Sequence, residues 1–311
     1  MAKNMVLVTG ARGFLGGFAL RHYVRAGWDV IGLGRDAAPG AEPLPANVAW
    51  HAGEVSMKTL RSLGVRPNLI VHCAGGGSVP QSFSNPAADL RDTVDATAAV
   101  LEFVRQHCTE CVVVYPSSAA VYGNAAANQV DEDVPVSIRA PGSPYGTHKL
   151  MAEQLCLSYA RHFGLSVAIV RLFSIYGEGL RKQLLWDACQ KIERGDHVYG
   201  GTGSECRDWM HAEDAARLLA AVAPYAQPEC PIFNGGSGEP TTVRDVLQLL
   251  YRELGVNAVP RFSQHPRPGD PQSLQADISR ALGIGWTPSI SLKRGIARYA
   301  HWYGQGHHET V

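Results

Sequence analysis

The stretch MVLVTGARGFLG, residues 5–16, constrains the fold more than any other part of the chain. An apolar run from Val6 to Val8 stops at Thr9-Gly10, and apolar residues then recur at helical spacing from Leu15 to Ala26. Glycines at 10, 13 and 16 fill the short connection in a G-x-x-G-x-x-G arrangement. Such a turn joins a buried strand to a helix and leaves free backbone N–H groups at the helix start, where the helix dipole stabilises a phosphate. Side chains at these positions would hold the anion away. The stretch therefore predicts a dinucleotide site at the first strand–helix junction of a parallel α/β sheet.

Further short β-rich runs follow at 29–33 (DVIGL), 48–50 (VAW), 68–74 (NLIVHCA) and 111–117 (CVVVYPS). Between the last two, Leu90, Val94, Thr97, Val100, Leu101 and Val104 mark a helix over 87–106. Strand and helix alternate, and the strands read as continuous apolar runs, as they do when helices cover both faces of a parallel sheet. After LSVAIVRLF at 165–173 the alternation becomes harder to follow, and Gly and Pro punctuate the chain at 177–179, 200–203, 228–240 and 266–271. The expectation is a Rossmann-type, doubly wound first domain over 1–173, with return segments near 205–235, and a smaller α/β lobe over 174–311. Helices are predicted at about 180–194, 212–223, 242–254 and 291–302.

Charge narrows the partners. Lys+Arg and Asp+Glu both total 28, so no net field draws the chain to nucleic acid or an acidic membrane, and a small ligand is the better fit. The amino terminus lacks the apolar segment of a signal peptide, and no run of about 18 apolar residues occurs, so a cytoplasmic protein is expected. Seven cysteines include one C-x-x-C pair, Cys108 and Cys111, with no second pair to complete a zinc site. No metal is expected, and the thiols are read as reduced.

The second strand ends GLGRD. A site preferring NAD usually carries a carboxylate there for the ribose 2′-hydroxyl, whereas a 2′-phosphate needs an arginine. Gly34 takes the acidic place and Arg35 follows, which favours NADP; the neighbouring Asp36 argues for NAD. In SPYGTHK, Ser143 caps a helix, Pro144 suits its first turn, and Tyr145 and Lys149 then share a face at i and i+4. An ammonium on that face is expected to lower the phenol's pKa toward the working range, making it a proton carrier for a carbinol or carbonyl oxygen. Ser117 and Ser118, at the carboxyl end of an apolar strand, offer a second donor.

These segments occur in order with VHCAGGGSV, RLFSIYG, RDWMHAEDAA, FNGGSGE, RPGD and ADISRALGIGWTP. The set resembles the extended short-chain dehydrogenase/reductase family, in its branch acting on nucleotide sugars: epimerases, 4,6-dehydratases and ketoreductases. The resemblance implies Ser118, Tyr145 and Lys149 as catalytic residues. It implies cofactor contacts at Gly10, Gly13, Phe14, Leu15, Gly16, Arg35, Glu54, Val55, Ala74 and Lys149. Substrate contacts fall on Ser78, Val79, Ser118, Tyr145, Phe173, Ser174, Arg207 and Arg267, the two guanidinium groups suiting a diphosphate. A homodimer built on the helices near 87–106 and 145–163 is also implied.

Several positions depart from the family pattern. Ser174 and Thr93 each replace a usual asparagine. Ala119 and Ala120 stand where the dehydratases carry an Asp-Glu pair, and methyl groups cannot serve as acid and base. Dehydration is thereby disfavoured. The leading expectation is NADPH-dependent reduction of a nucleotide-linked 4-keto-6-deoxyhexose; the alternative is a sugar-nucleotide 4-epimerase with bound NAD. A non-catalytic dinucleotide sensor on the same fold is a third.

Overall fold

The computed structural model describes residues 4–35, 44–123, 129–265 and 273–306. Its main sheet has seven parallel strands: β1 (Met5–Thr9), β2 (Asp29–Gly34), β3 (Val48–Ala52), β4 (Leu69–His72), β5 (Val112–Ser118), β6 (Val167–Leu172) and β7 (Ile232–Gly235). They lie in the order β7-β6-β5-β4-β1-β2-β3, the Rossmann arrangement expected from the sequence. The chain runs outward from β1 to β3 and returns to β4 on the other side of β1, so a crevice opens beyond the carboxyl ends of β1 and β4.

Both sheet faces are covered, which explains the unbroken apolar runs. Helices α1 (Phe14–Arg25) and α4 (Ala212–Val222) bury Val6, Val8, Leu20 and Leu219 on one face. Helices α2 (Ala96–His107) and α3 (Pro144–Phe163) bury Leu7, Ile70, Val104 and Cys156 on the other. A buried ion pair, Arg171 to Glu153 at 2.8 Å, ties β6 to α3.

The single helix expected over 87–106 is instead three pieces: Pro86–Leu90, a π turn at Arg91–Asp95, and α2. The extra residue in that turn is held by Thr93, whose carbonyl accepts from the Thr97 hydroxyl at 2.6 Å. Thr93 Oγ1 accepts from the Gly76 N–H at 2.9 Å, so the threonine supports the loop after β4 where an asparagine was expected.

Beyond β6 a smaller sheet centres on Cys206–His211, which pairs with Pro240–Thr242, Ser273–Ala276 and Ser174–Tyr176. Helices Gln183–Glu193, Val243–Glu253 and Leu292–Gly304 lie where the sequence predicts them. They share an aromatic-rich core containing Tyr176, Trp186, Tyr199, Tyr251 and Tyr299.

Candidate active site

The glycine turn sits at the crevice because two of its members are forced to be glycine. Gly10 has φ +63°, and a Cβ there would come 2.7 Å from the backbone nitrogen of Ala74. A Cβ on Gly16 would lie 2.1 Å from the Gly10 carbonyl oxygen, so this glycine seats α1 on the turn and does not line the crevice. Gly13 caps α1 without a side chain, leaving the helix N–H groups open to an anion. The Phe14 and Leu15 side chains turn into the hydrophobic cores, so only their backbone can serve a ligand.

A cavity of about 280 Å³ opens above the turn. Gly10, Gly13, Arg35, Glu54, Val55 and Ala74, all expected cofactor contacts, line it together with Arg12, Gly34, Cys73, Arg91 and Asp92. Open glycine backbone, uncapped helix N–H groups and a cationic rim fit a dinucleotide's pyrophosphate and ribose.

At the end of β2, the Trp50 ring lies 3.3 Å from where a Gly34 Cβ would stand, and so restricts the space for a carboxylate-bearing side chain. Arg12 stacks its guanidinium over that ring at 4.6 Å, and its buried Nε has no hydrogen-bond partner. Arg35 is paired with Asp92 at 3.3 Å, and Arg91 approaches the same carboxylate at 3.7 Å. The sequence reading singled out Arg35 and missed Arg12; its one local signal was its place inside the glycine turn.

Ser143 accepts from the Gly146 N–H at 3.2 Å and starts α3 as predicted, with Pro144 in the first turn. That places Tyr145 beside Ser118, the last residue of β5, close enough for the serine side chain to favour the ionised phenol. This placement selects Ser118 over Ser117, whose hydroxyl is buried on the sheet. One expectation is corrected here. Lys149 does not pull the phenol down: its Nζ donates to the Pro116 carbonyl at 2.9 Å and lies 4.9 Å over the Tyr115 ring. Burial holds the Tyr145 phenol above its ordinary value, opposed by the Ser118 side chain and reinforced by the Asp89 charge. Burial also pulls Lys149 down to about 8, against the raising effect of Cys73, Asp89, Glu153 and Cys156.

Asp89 was not foreseen either. Its carboxylate lies 2.6 Å from His148 Nδ1, beneath Gly76, where any Cβ would strike the carboxylate at 1.9 Å. The pair braces the loop that leads to Ser78.

On the substrate side, Ser78 caps the short helix Val79–Ser84, and Val79 is exposed. Phe173 is buried beside Tyr122 at 6.2 Å between ring centroids, and Ser174 pairs with Trp209 in the smaller sheet. Arg207 lies on the same sheet and donates to the Cys206 carbonyl at 2.8 Å. Arg267 lies outside the described residues, as does Asp36. Lys182 Nζ donates to the Gly77 carbonyl at 2.6 Å, joining the loop after β4 to the start of helix Gln183–Glu193. Among the described residues no His, Cys, Asp and Glu cluster could hold a metal ion, and no helix is long and apolar enough to cross a membrane.

The seven-stranded Rossmann sheet, the glycine turn at its crevice and the Ser–Tyr–Lys set at the adjoining strand end are the features on which the resemblance to the extended short-chain dehydrogenase/reductase family rests. The comparisons with known proteins agree. The chain belongs to the NAD dependent epimerase/dehydratase family, whose model matches residues 6–235. It is 29% identical over 323 residues to a UDP-glucose 4-epimerase of Azospirillum brasilense, covering 96% of this chain and 91% of that one. A CDP-paratose 2-epimerase of Salmonella typhi is also 29% identical, over 96% of this chain and 98% of its own. Among solved structures, MoeE5 in complex with UDP-glucose and NAD superimposes with a TM-score of 0.85 at 28% identity, covering 97% of this chain and 99% of that one. The fold is also that of a UDP-glucose 4-epimerase from Thermotoga maritima, with a TM-score of 0.88 at 23% identity, covering 97% and 99% of the two chains.

Proposed function

We propose that this protein is a nucleotide-sugar 4-epimerase that retains its nicotinamide dinucleotide between turnovers. The observation that carries the proposal is the placing of Ser118, Tyr145 and Lys149 side by side at the crevice, in a chain similar over nearly its whole length to sugar-nucleotide epimerases. This revises the first expectation of a ketoreductase in favour of its alternative. When bound, the dinucleotide supplies reversible hydride exchange with C4 of the sugar.

The chain's own residues handle the proton and the oxygen. In its phenolate form Tyr145 accepts the proton of the C4 hydroxyl as that carbon is oxidised, and as the phenol it returns the proton when the opposite face has been reduced. Ser118 donates to the C4 oxygen and keeps it within reach of the phenol. Lys149, on the same helix with its Nζ held by the Pro116 carbonyl, is left to hold the dinucleotide's ribose, and Ser118 is the neighbour that opposes the upward pull of burial on the phenol. With Ala119 and Ala120 beside the serine, no carboxylate stands at those positions to drive loss of water.

Residues 174–311 mainly bind the sugar nucleotide in this reading, with Ser78, Val79, Phe173 and Ser174 at the sugar and Arg207 and Arg267 at the diphosphate. A homodimer packed through α2 and α3 accompanies it; Phe163, at the end of α3, is 52% exposed. A second reading, NADPH-dependent reduction of a 4-keto sugar, is favoured by Gly34 and by the arginines at 12 and 35. One experiment separates the two. The purified protein is denatured, the released dinucleotide is identified, and the native enzyme is incubated with UDP-glucose and UDP-glucuronate. Epimerisation at C4 with bound dinucleotide and no net NADPH consumption supports the proposal. NADPH consumption with a nucleotide-linked 4-keto sugar, without epimerisation, overturns it.

A further inference from the structure

The C-x-x-C pair takes no part in the crevice chemistry, and its setting gives it chemistry of its own. Cys108 caps the carboxyl end of α2, its N–H donating to the Val104 carbonyl at 3.0 Å. Cys111 immediately precedes β5, and its N–H donates back to the Cys108 carbonyl at 2.8 Å. The two cysteines are therefore the ends of a hydrogen-bonded four-residue turn. Such ends lie within about 7 Å between Cα atoms, overlapping the roughly 4.4–6.8 Å that a disulfide requires. The Cys111 thiol donates to the Val112 carbonyl at 3.4 Å, and the two sulfurs lie close enough to shift each other's ionisation.

The two sulfurs are unequal. Cys108 is half-buried and reachable, whereas Cys111 is 1% exposed. The neighbouring Cys111 side chain draws the Cys108 thiol below its ordinary value, against partial burial and with help from the Arg66 guanidinium. The Cys108 side chain and deeper burial push Cys111 up. No other two cysteines of the chain are spaced three residues apart.

We propose that Cys108 and Cys111 form an exchangeable dithiol: Cys108 attacks a small-molecule disulfide such as oxidised glutathione, and Cys111 resolves the product to an intramolecular disulfide. In the first step the Cys108 sulfur bonds to one glutathione sulfur, the glutathione S–S bond breaks, and one glutathione leaves with the Cys108 proton. In the second, the Cys111 sulfur bonds to Cys108, the mixed disulfide breaks, and the second glutathione leaves with the Cys111 proton. The protein loses two electrons and two protons, and the small disulfide becomes two thiols. The crosslink sits at the opposite end of β5 from Ser118, about 20 Å away at the usual rise of a strand.

The test uses the full chain equilibrated in glutathione buffers of graded redox ratio, then alkylated, digested and weighed. Wild type is expected to lose two hydrogens on the single peptide spanning 108–111, while Cys111→Ser accumulates one glutathione on Cys108. In the reduced wild-type protein, Cys108 should be alkylated several-fold faster than Cys206. The folded state of Cys111→Ser is checked by its melting curve. Should that variant not fold, Cys108→Ser serves instead and must abolish the crosslink. Failure of wild type to form the Cys108–Cys111 bond, or glutathione placed on Cys73 or Cys206 instead, overturns the proposal. Epimerase activity does not enter the readout, so the two proposals fail separately.

Discussion

The end of the crevice proposed for the dinucleotide and the end proposed for the sugar are built by different means. At the dinucleotide end the backbone does the positioning: Gly10 and Gly16 pack against neighbouring backbone with no room for a Cβ, over a floor where neutral His72 lies between Thr9 at 2.7 Å and Thr97 at 3.2 Å. At the sugar end, long side chains on connecting segments do it, as Lys182 reaches the Gly77 carbonyl and Arg207 lies along a short strand. A backbone site recognises what every dinucleotide shares and tolerates little change. A side-chain site is adjustable, which lets one fold serve many sugars. Tyr145 and Ser118 stand at the seam.

Substitutions can break or sharpen this contrast. The largest effect is expected at the seam: Tyr145→Phe should lower kcat about 10²–10⁴-fold while dinucleotide binding is kept, as followed by C4 turnover and by bound cofactor. Next comes the backbone end, where Gly16→Ala should cost about 2–4 kcal/mol in denaturant unfolding, because its Cβ would strike a carbonyl. Gly179→Ala, at the sugar end, meets nothing within 4 Å and has only its φ of +89° to oppose it, so about 1–2 kcal/mol is expected. Equal losses at the two glycines would erase the contrast.

A pH effect belongs to the floor. Burial pulls His72 down to about 3, with Lys149 adding to the fall. The unfolded chain takes up this proton near pH 6.5 and the folded one does not, so stability is lost as pH falls from about 6.5 toward 3, at up to about 1.4 kcal/mol per unit. His72→Gln should flatten that acid limb in urea titrations. The smallest effect is expected from Lys182→Met, which should raise KM for the sugar nucleotide a few-fold with kcat unchanged.

The sequence made the backbone end the easier to read. Close packing there demands glycine at fixed spacing, and strands buried on both faces write unbroken apolar runs, so the sheet and the turn could be found without coordinates. The Ser143-Pro144 start of α3 likewise placed Tyr145 and Lys149 on one face. What could not be read were contacts between residues far apart in the chain. Arg12 over Trp50 joins the glycine turn to β3, and Asp89 with His148 joins the segment after β4 to α3. Lys149 also chose a carbonyl on β5 that no helical spacing foretells. The π turn at Arg91–Asp95 escaped because three-and-four spacing continues on both sides of its extra residue.

The central claim is that hydride leaves and rejoins the same sugar carbon within one closed crevice. UDP-glucose deuterated at C4 tests it most directly, with product analysed by NMR and mass spectrometry. The account predicts a C4 epimer that keeps its deuterium at C4, with no label in the solvent and no net change in dinucleotide redox state. An epimer whose C4 deuterium has been replaced by solvent hydrogen, or turnover that requires stoichiometric NADPH, would contradict it.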